Sequence, residues 1–171
     1  MEVIFNIGIS GAGKSTWSTQ FIKNNPNYLR INRDDIRKTL VGNLDGYYQR
    51  KDLQTIEQLI NSIEESLFIK IINNAQYNLI IDNTHLKMSY INKWFKIIKN
   101  LEGYSEINFK FKIFDVALNE ARGRIWNREG LYISSLVTII ECKELDYIDK
   151  QFEQYQQIKK HIQIHFPNNI I

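Results

Sequence analysis

One cysteine, Cys142, is all that the 171 residues contain. That excludes an internal disulfide framework and a cysteine-based zinc cluster, and it suits a reducing compartment. The three histidines show no metal-ligand spacing. Long apolar runs are missing as well: no segment approaches the roughly 20 consecutive apolar residues that a membrane-spanning helix needs. Glu2 leads straight into a short apolar stretch broken at Gly8, with no charged leader. The expectation is a cytoplasmic chain without a membrane partner. A dominant charge is also absent, because 22 Lys and Arg face 19 Asp and Glu for a net +3. This balance admits an anionic ligand but does not separate a nucleotide from a nucleic acid. Internal repeats and low-complexity segments are not evident, and the length fits one domain over 1–171.

What is present alternates. Val3 to Ile7 reads as a buried strand stopped by Gly8, and Lys14 to about Lys23 as a helix ended by Asn24-Asn25-Pro26-Asn27. Tyr28 to Asn32 is a second short strand, with Asp34 or a neighbour capping the helix that follows. Between about Arg50 and Gln76, Leu53, Ile56, Ile60, Ile63, Leu67 and Ile71 recur at steps of three and four, the mark of one buried helix face. Asn78 to Asp82 forms another strand, Ile91 to Ile98 a helix, Asn108 to Val116 a strand, and Leu118 to Ile125 a helix. A C-terminal helix is expected around 139–163. Strands separated by helices imply right-handed crossovers and an α/β fold, a parallel sheet flanked by helices on both faces. Ligands of such sheets bind beyond the carboxyl ends of the strands, so Gly8 to Ser15, Asn32 to Arg37 and Asp82 to His85 should converge.

The first of these stretches, Gly8-Ile9-Ser10-Gly11-Ala12-Gly13-Lys14-Ser15, matches G-x-x-x-x-G-K-[ST] directly after a strand and before a helix. Its glycines let the backbone curl so that N–H groups and the positive end of the helix dipole face phosphate oxygens. Gly8, Ser10, Gly11, Ala12, Gly13, Lys14, Ser15 and Thr16 are therefore the nucleotide-binding candidates, with Lys14 reaching the β and γ phosphates. The Ser15 hydroxyl is suited to Mg²⁺, which keeps most of its waters and takes few protein ligands. The expected ligand is Mg·NTP. The loop does not say whether the phosphoryl group goes to water, a small molecule or a polymer.

The second stretch, Asn32-Arg33-Asp34-Asp35-Ile36-Arg37, closes a strand and opens a helix. A carboxylate across from the phosphate loop could take the proton of an attacking hydroxyl. Arg33 and Arg37, four apart, could hold a phosphate of the acceptor. The same residues read equally as an N-cap at Asp34 with surface ion pairs.

Four motifs together, Gly8 to Trp17, Ile31 to Arg37, Ile80 to Leu86 (Ile-Ile-Asp-Asn-Thr-His-Leu), and Phe114 to Val116 followed by Arg124 and Arg128, resemble the P-loop 5′-hydroxyl polynucleotide kinases, the family of the phage T4 polynucleotide kinase-phosphatase kinase domain. The order and spacing agree over most of the chain. The resemblance implies ATP-dependent transfer of the γ-phosphate to 5′-OH ends of DNA or RNA in nucleic-acid end repair. It places Lys14 and Ser15 on the nucleotide and metal positions, Asp34 on the general base and Arg37 on the acceptor phosphate. Arg128 falls on the lid arginine that contacts the donor phosphates, within a lid around 122–135, and Arg124 lies one helical turn before it. Catalysis would thus rest on Asp34, Lys14 and Arg128. Where the family carries an acidic residue two positions before an Asn, this chain has Asn83 and His85, and Asp82 lies one residue earlier. Asp82 could replace that carboxylate or reach Mg²⁺ through water, and it could equally be a strand-end cap. Asn83 and His85 join Arg33 and Arg37 as acceptor-binding candidates. No D-x-D-x-T nucleophile motif occurs, so a phosphatase activity is not expected; protein partners stay open, a separate phosphatase or a ligase being the candidates.

Tyr47 and Tyr48 follow the acceptor helix as candidates for stacking a base, whereas Trp17, Trp94 and Trp126 read as core or lid packing. Two other functions use the same loop: a kinase of a small-molecule hydroxyl, and a non-catalytic NTP-dependent switch that would not need Asp34 beside two arginines.

Overall fold

The computed structural model describes residues 1–101, 107–129 and 146–171, and for 128 and 129 the backbone alone. Four strands form one parallel sheet: β1 (Glu2–Ile7), β2 (Tyr28–Ile31), β3 (Asn78–Ile81) and β4 (Asn108–Ile113), in the order β2-β3-β1-β4. β1 sits inside, with Phe5 level with Ile81 on one side and Phe111 on the other. Such a strand is covered on both faces, which explains its nearly unbroken apolar sequence. β2 stops at Ile31 and β3 at Ile81, one residue short of the expected ends, and this frees Asn32 and Asp82 for other work.

Among the described residues, six α-helices connect and flank the strands: α1 (Lys14–Asn24), α2 (Arg33–Val41), α3 (Leu53–Asn74), α4 (Met88–Lys99), α5 (Leu118–Glu129) and α6 (Asp146–His165). Val3, Phe5 and Ile7 belong to the main core cluster with Phe68 of α3 and Trp94 of α4, whose rings lie 4.5 Å apart. Asn6 points to the opposite side and donates to Ser18 Oγ of α1 at 2.8 Å. Both faces of the sheet are thus covered. None of the described helices is long and apolar enough to cross a membrane. Cys142 and the expected start of the C-terminal helix, from 139 to 145, lie outside the described residues.

The α3 face corrects the sequence reading. Its fully buried residues are Ile60, Glu64, Phe68 and Ile72, while Leu67, expected inside, is 41% exposed. The helix is rotated because Glu64 is wanted inside: it meets a charged partner from α2, described below.

Candidate active site

The loop from Gly8 to Gly13 leaves β1 and delivers the N-terminus of α1. Gly11 (φ +78°) and Gly13 (φ +89°) take left-handed backbone that a side chain would strain. A Cβ on Gly11 would also lie 2.6 Å from the Ala121 carbonyl oxygen, so the loop rests directly on α5. Three loop N–H groups are already committed: Gly8 to Thr84 O at 3.2 Å, Ala12 to Ile9 O at 3.2 Å, and Ser10 to Gln151 Oε1 of α6 at 2.8 Å. Gly8 thus anchors the start of the loop to the segment after β3. Lys14 is buried to 8% exposure, and its Nζ donates to Ile9 O at 2.7 Å. Ser15 and Thr16 are exposed in the first turn of α1. Arg124 of α5 donates to Gly11 O at 3.1 Å and to Glu120 at 2.5 Å, so it does touch the phosphate loop. Arg128 lies in the last turn of α5, and its side chain falls outside the described ones, as does the lid stretch from 130 to 135.

Loop residues Ser10 to Thr16, α2 residues Arg33, Asp34 and Arg37, and the segment Asp82 to His85 line one cleft of about 1490 Å³. Asn32, not Asp34, caps α2, its side chain accepting from Asp35 N at 3.0 Å. Relieved of that duty, Asp34 is 57% exposed at the side chain, and Arg37 Nη1 donates to its Oδ1 at 2.6 Å.

Glu57 of α3 organises the arginines. Arg37 grips it through Nε at 2.8 Å and Nη2 at 3.1 Å, Arg33 Nη2 at 2.7 Å, and the Tyr47 hydroxyl at 2.6 Å. Burial alone would raise the Glu57 pKa, but the hydrogen bonds from Arg37, Tyr47 and Arg33 more than offset it and hold it at about 2. Arg33 also reaches Asn61 at 2.5 Å and buried Glu64 at 2.9 Å. Asn83 accepts from Arg33 N at 3.1 Å and donates to Glu64 at 2.7 Å. Arg33 and Asn83 both line the cleft and are tied into a brace between α2, α3 and the end of β3.

His85 sits deep in the same cleft. It is 3% exposed, its backbone is left-handed at φ +46°, and its Nδ1 lies 2.9 Å from Asn6 O. A carbonyl can only accept, so Nδ1 carries the proton. Burial, opposed by the bond to Asn6 and assisted by nearby Lys14, holds its pKa at about 4. The neutral ring clamps the loop after β3 to β1 at the floor of the cleft. Tyr47 is likewise buried at 1% exposure, with Arg37 stacked 5.7 Å from its ring centroid, whereas Tyr48 is 66% exposed on the cleft.

Asp82 has a fully buried carboxylate. Oδ1 accepts from Asn6 at 2.8 Å, and Oδ2 from Arg30 Nε and Nη2, both at 2.7 Å. Sequence reasoning passed over Arg30, Asn6, Glu57, Glu64 and Gln151. A signal existed for the two glutamates: Glu57, Asn61 and Glu64 recur at steps of four and three, a polar stripe facing one neighbour. For Mg²⁺ the donor set fits a sparsely ligated ion, with one exposed hydroxyl at Ser15 and a carboxylate at Asp82 whose oxygens already have protein donors and could act only through water.

Residues 3–137 match the family of AAA domains. The chain is 31% identical over 138 residues to a bifunctional polynucleotide kinase/RNA ligase of Autographa californica nuclear polyhedrosis virus, a match covering 77% of this chain and 19% of that protein. A chain of the Pnkp1/Rnl/Hen1 RNA repair complex superposes with TM-score 0.70 at 24% identity, over 94% of this chain and 45% of the other. A chain from another structure of the Pnkp1/Rnl/Hen1 complex gives TM-score 0.59 at 25% identity, over 82% and 42%. The chain thus spans about a fifth of the viral protein and under half of the structural relatives.

Proposed function

Because the chain belongs to the AAA domain family over residues 3–137, we propose that it is a kinase domain that transfers the γ-phosphate of ATP to the 5′-hydroxyl of a DNA or RNA end in the cytoplasm. The observation that carries this reading is the pairing of Asp34 with Arg37 on a cleft shared with the phosphate loop. A nucleotide switch needs no such carboxylate, and the viral relative is a polynucleotide kinase/RNA ligase by name.

In this reading the N-terminus of α1 and Lys14 receive the β and γ phosphates, where an ammonium counters charge in ground and transition states. Ser15 would hold Mg²⁺ directly and Asp82 through water; the ion supplies charge neutralisation at the phosphates. Asp34 accepts the proton of the 5′-hydroxyl as its oxygen bonds to the γ-phosphorus and the bond to the β–γ bridging oxygen breaks, leaving ADP. Arg37 has Nε and one donor of each Nη engaged, which leaves one donor on each Nη for the phosphate 3′ to the reacting nucleoside. Arg124 and Arg128 of α5 serve the donor phosphates. The names of the relatives favour an RNA repair setting beside a ligase.

The test is transfer of labelled γ-phosphate from ATP to a 5′-OH oligonucleotide with Mg²⁺ present. Label at the 5′ end supports the assignment; ATP binding without transfer to any 5′-hydroxyl refutes it.

A further inference from the structure

On the cleft wall formed by α4, Tyr90 is 52% exposed. Among the described residues it makes none of the ring contacts that fix other aromatics of the cleft, Trp94 on Phe68 at 4.5 Å and Tyr48 on Tyr47 at 5.2 Å. Lys93 and Lys96 follow at steps of three along one oblique ridge of the helix, Tyr90 and Lys93 on the cleft and Lys96 exposed just beyond it. α4 carries Lys93, Lys96 and Lys99 and no acidic residue, so this one helix bears a charge equal to the net +3 of the whole chain.

We infer that Tyr90, Lys93 and Lys96 form a track for the acceptor strand, with a base stacked on Tyr90 and phosphates against the lysines. The inference rests on the kinase reading above, since a strand whose 5′ end meets Asp34 must leave the cleft along one wall. Tyr48 stands on the same cleft, beside the acceptor helix, and Tyr90 extends the binding surface beyond the first nucleotide. The chemistry of the face selects the occupant. Its exposed residues are Lys87, Ser89, Tyr90, Asn92, Lys96 and Lys99, and lysine and serine, which protein–protein interfaces deplete, make up four of these six. An exposed aromatic interleaved with cations is what sequence-tolerant single-strand binding uses. Lys93 lies 2.9 Å from Glu65 Oε1 and 4.6 Å from the Trp94 ring centroid, so a phosphate there competes with a half-exposed carboxylate.

The experiment compares wild type, Tyr90→Ala and Tyr90→Phe. It measures binding of a fluorescent 5′-OH hexanucleotide by anisotropy, and the KM for that acceptor and for a nucleoside 3′-monophosphate. Tyr90→Ala should weaken hexanucleotide binding and raise its KM by about tenfold, the size of one base–aromatic stack. The nucleoside 3′-monophosphate, which has no second base, should be unaffected, and Tyr90→Phe should behave as wild type. Replacing Lys93 and Lys96 together by Ala should flatten the dependence of log K on log salt by about 1.4, roughly 0.7 for each single-strand phosphate contact. Equal effects of Tyr90→Ala on both acceptors, or none on either, overturn the track, as does a wild type that binds no oligonucleotide. If wild type binds the hexanucleotide through Tyr90 but phosphorylates no acceptor, the track stands and the kinase reading falls.

Discussion

Arg37 turns back one helical turn to Asp34, Nη1 to Oδ1 at 2.6 Å, while its other edge grips Glu57. One guanidinium therefore fixes the position of the carboxylate proposed to accept a proton and is itself fixed from α3. In the proposed reaction, this chain of three side chains from two helices would link acceptor binding to proton removal.

Asp34→Asn keeps the shape of this arrangement and removes the proton acceptor. Turnover should fall by roughly 10² to 10⁴, the usual contribution of a general base. Mg·ATP affinity should be unchanged, because the phosphate loop does not depend on Asp34. Single-turnover kinetics and nucleotide titration check both halves, and wild-type turnover in the variant removes Asp34 from the mechanism.

Arg37→Ala should raise the KM for acceptors that carry a phosphate 3′ to the reacting nucleoside and leave ATP affinity as it was. A charge-assisted contact of this kind is worth about 1.5 to 3 kcal/mol, or roughly ten- to hundred-fold in kcat/KM. The bare nucleoside should be penalised much less than the nucleoside 3′-phosphate. An equal penalty on both would mean that Arg37 only positions Asp34.

Glu57 gives a pH signature. Its folded pKa, about 2, lies below the ordinary 4.5. A carboxyl depressed by folding stabilises the protein fully above its unfolded value and loses that contribution as pH falls through the folded one. Wild type should therefore lose stability between about pH 5 and pH 2, and Glu57→Gln should lose less over the same range. Urea unfolding midpoints across this range measure the gap between the two, which must narrow towards acid; a constant gap contradicts the arrangement. Arg37 should also loosen in Glu57→Gln, raising acceptor KM more than it lowers kcat.

The parts of the site legible in the sequence are the local ones. Gly8 to Ser15 could be read because spacing within eight residues dictates a loop whose geometry needs little from elsewhere. Asp34 and Arg37 share one helical turn, so their pairing was within reach of spacing alone. Glu57 and Glu64 were not: hydropathy puts a glutamate outside, and the partners that make burial of Glu64 acceptable, Arg33 and Asn83, lie 31 and 19 residues away in the chain. Tyr47 looked like a stacking platform because it sits in a loop, yet Arg37 over its ring and Glu57 at its hydroxyl draw it into the core. Arg30 is a single residue of a short strand with no motif around it, and its importance lies wholly in what β3 brings alongside.

That last residue yields the sharpest stability prediction. Asp82 has a side chain with no exposure and meets Arg30, 17% exposed, which also pairs with Asp35. Removing the arginine leaves a buried carboxylate whose remaining side-chain donors, Asn6 at 2.8 Å and Asn32 at 3.4 Å, are neutral amides. Breaking a buried pair from one side typically costs about 3 to 5 kcal/mol, so Arg30→Met should destabilise the fold by that order. Adding Asp82→Asn removes the stranded charge while its amide oxygen still accepts from Asn6, so the double variant should recover much of the loss. Arg30→Lys should fall between, since one ammonium cannot fork to Asp82 and Asp35 together. Urea unfolding of the four members of the Arg30→Met and Asp82→Asn cycle gives the coupling directly. Additive effects would show that the charge on Asp82 is satisfied by something other than Arg30.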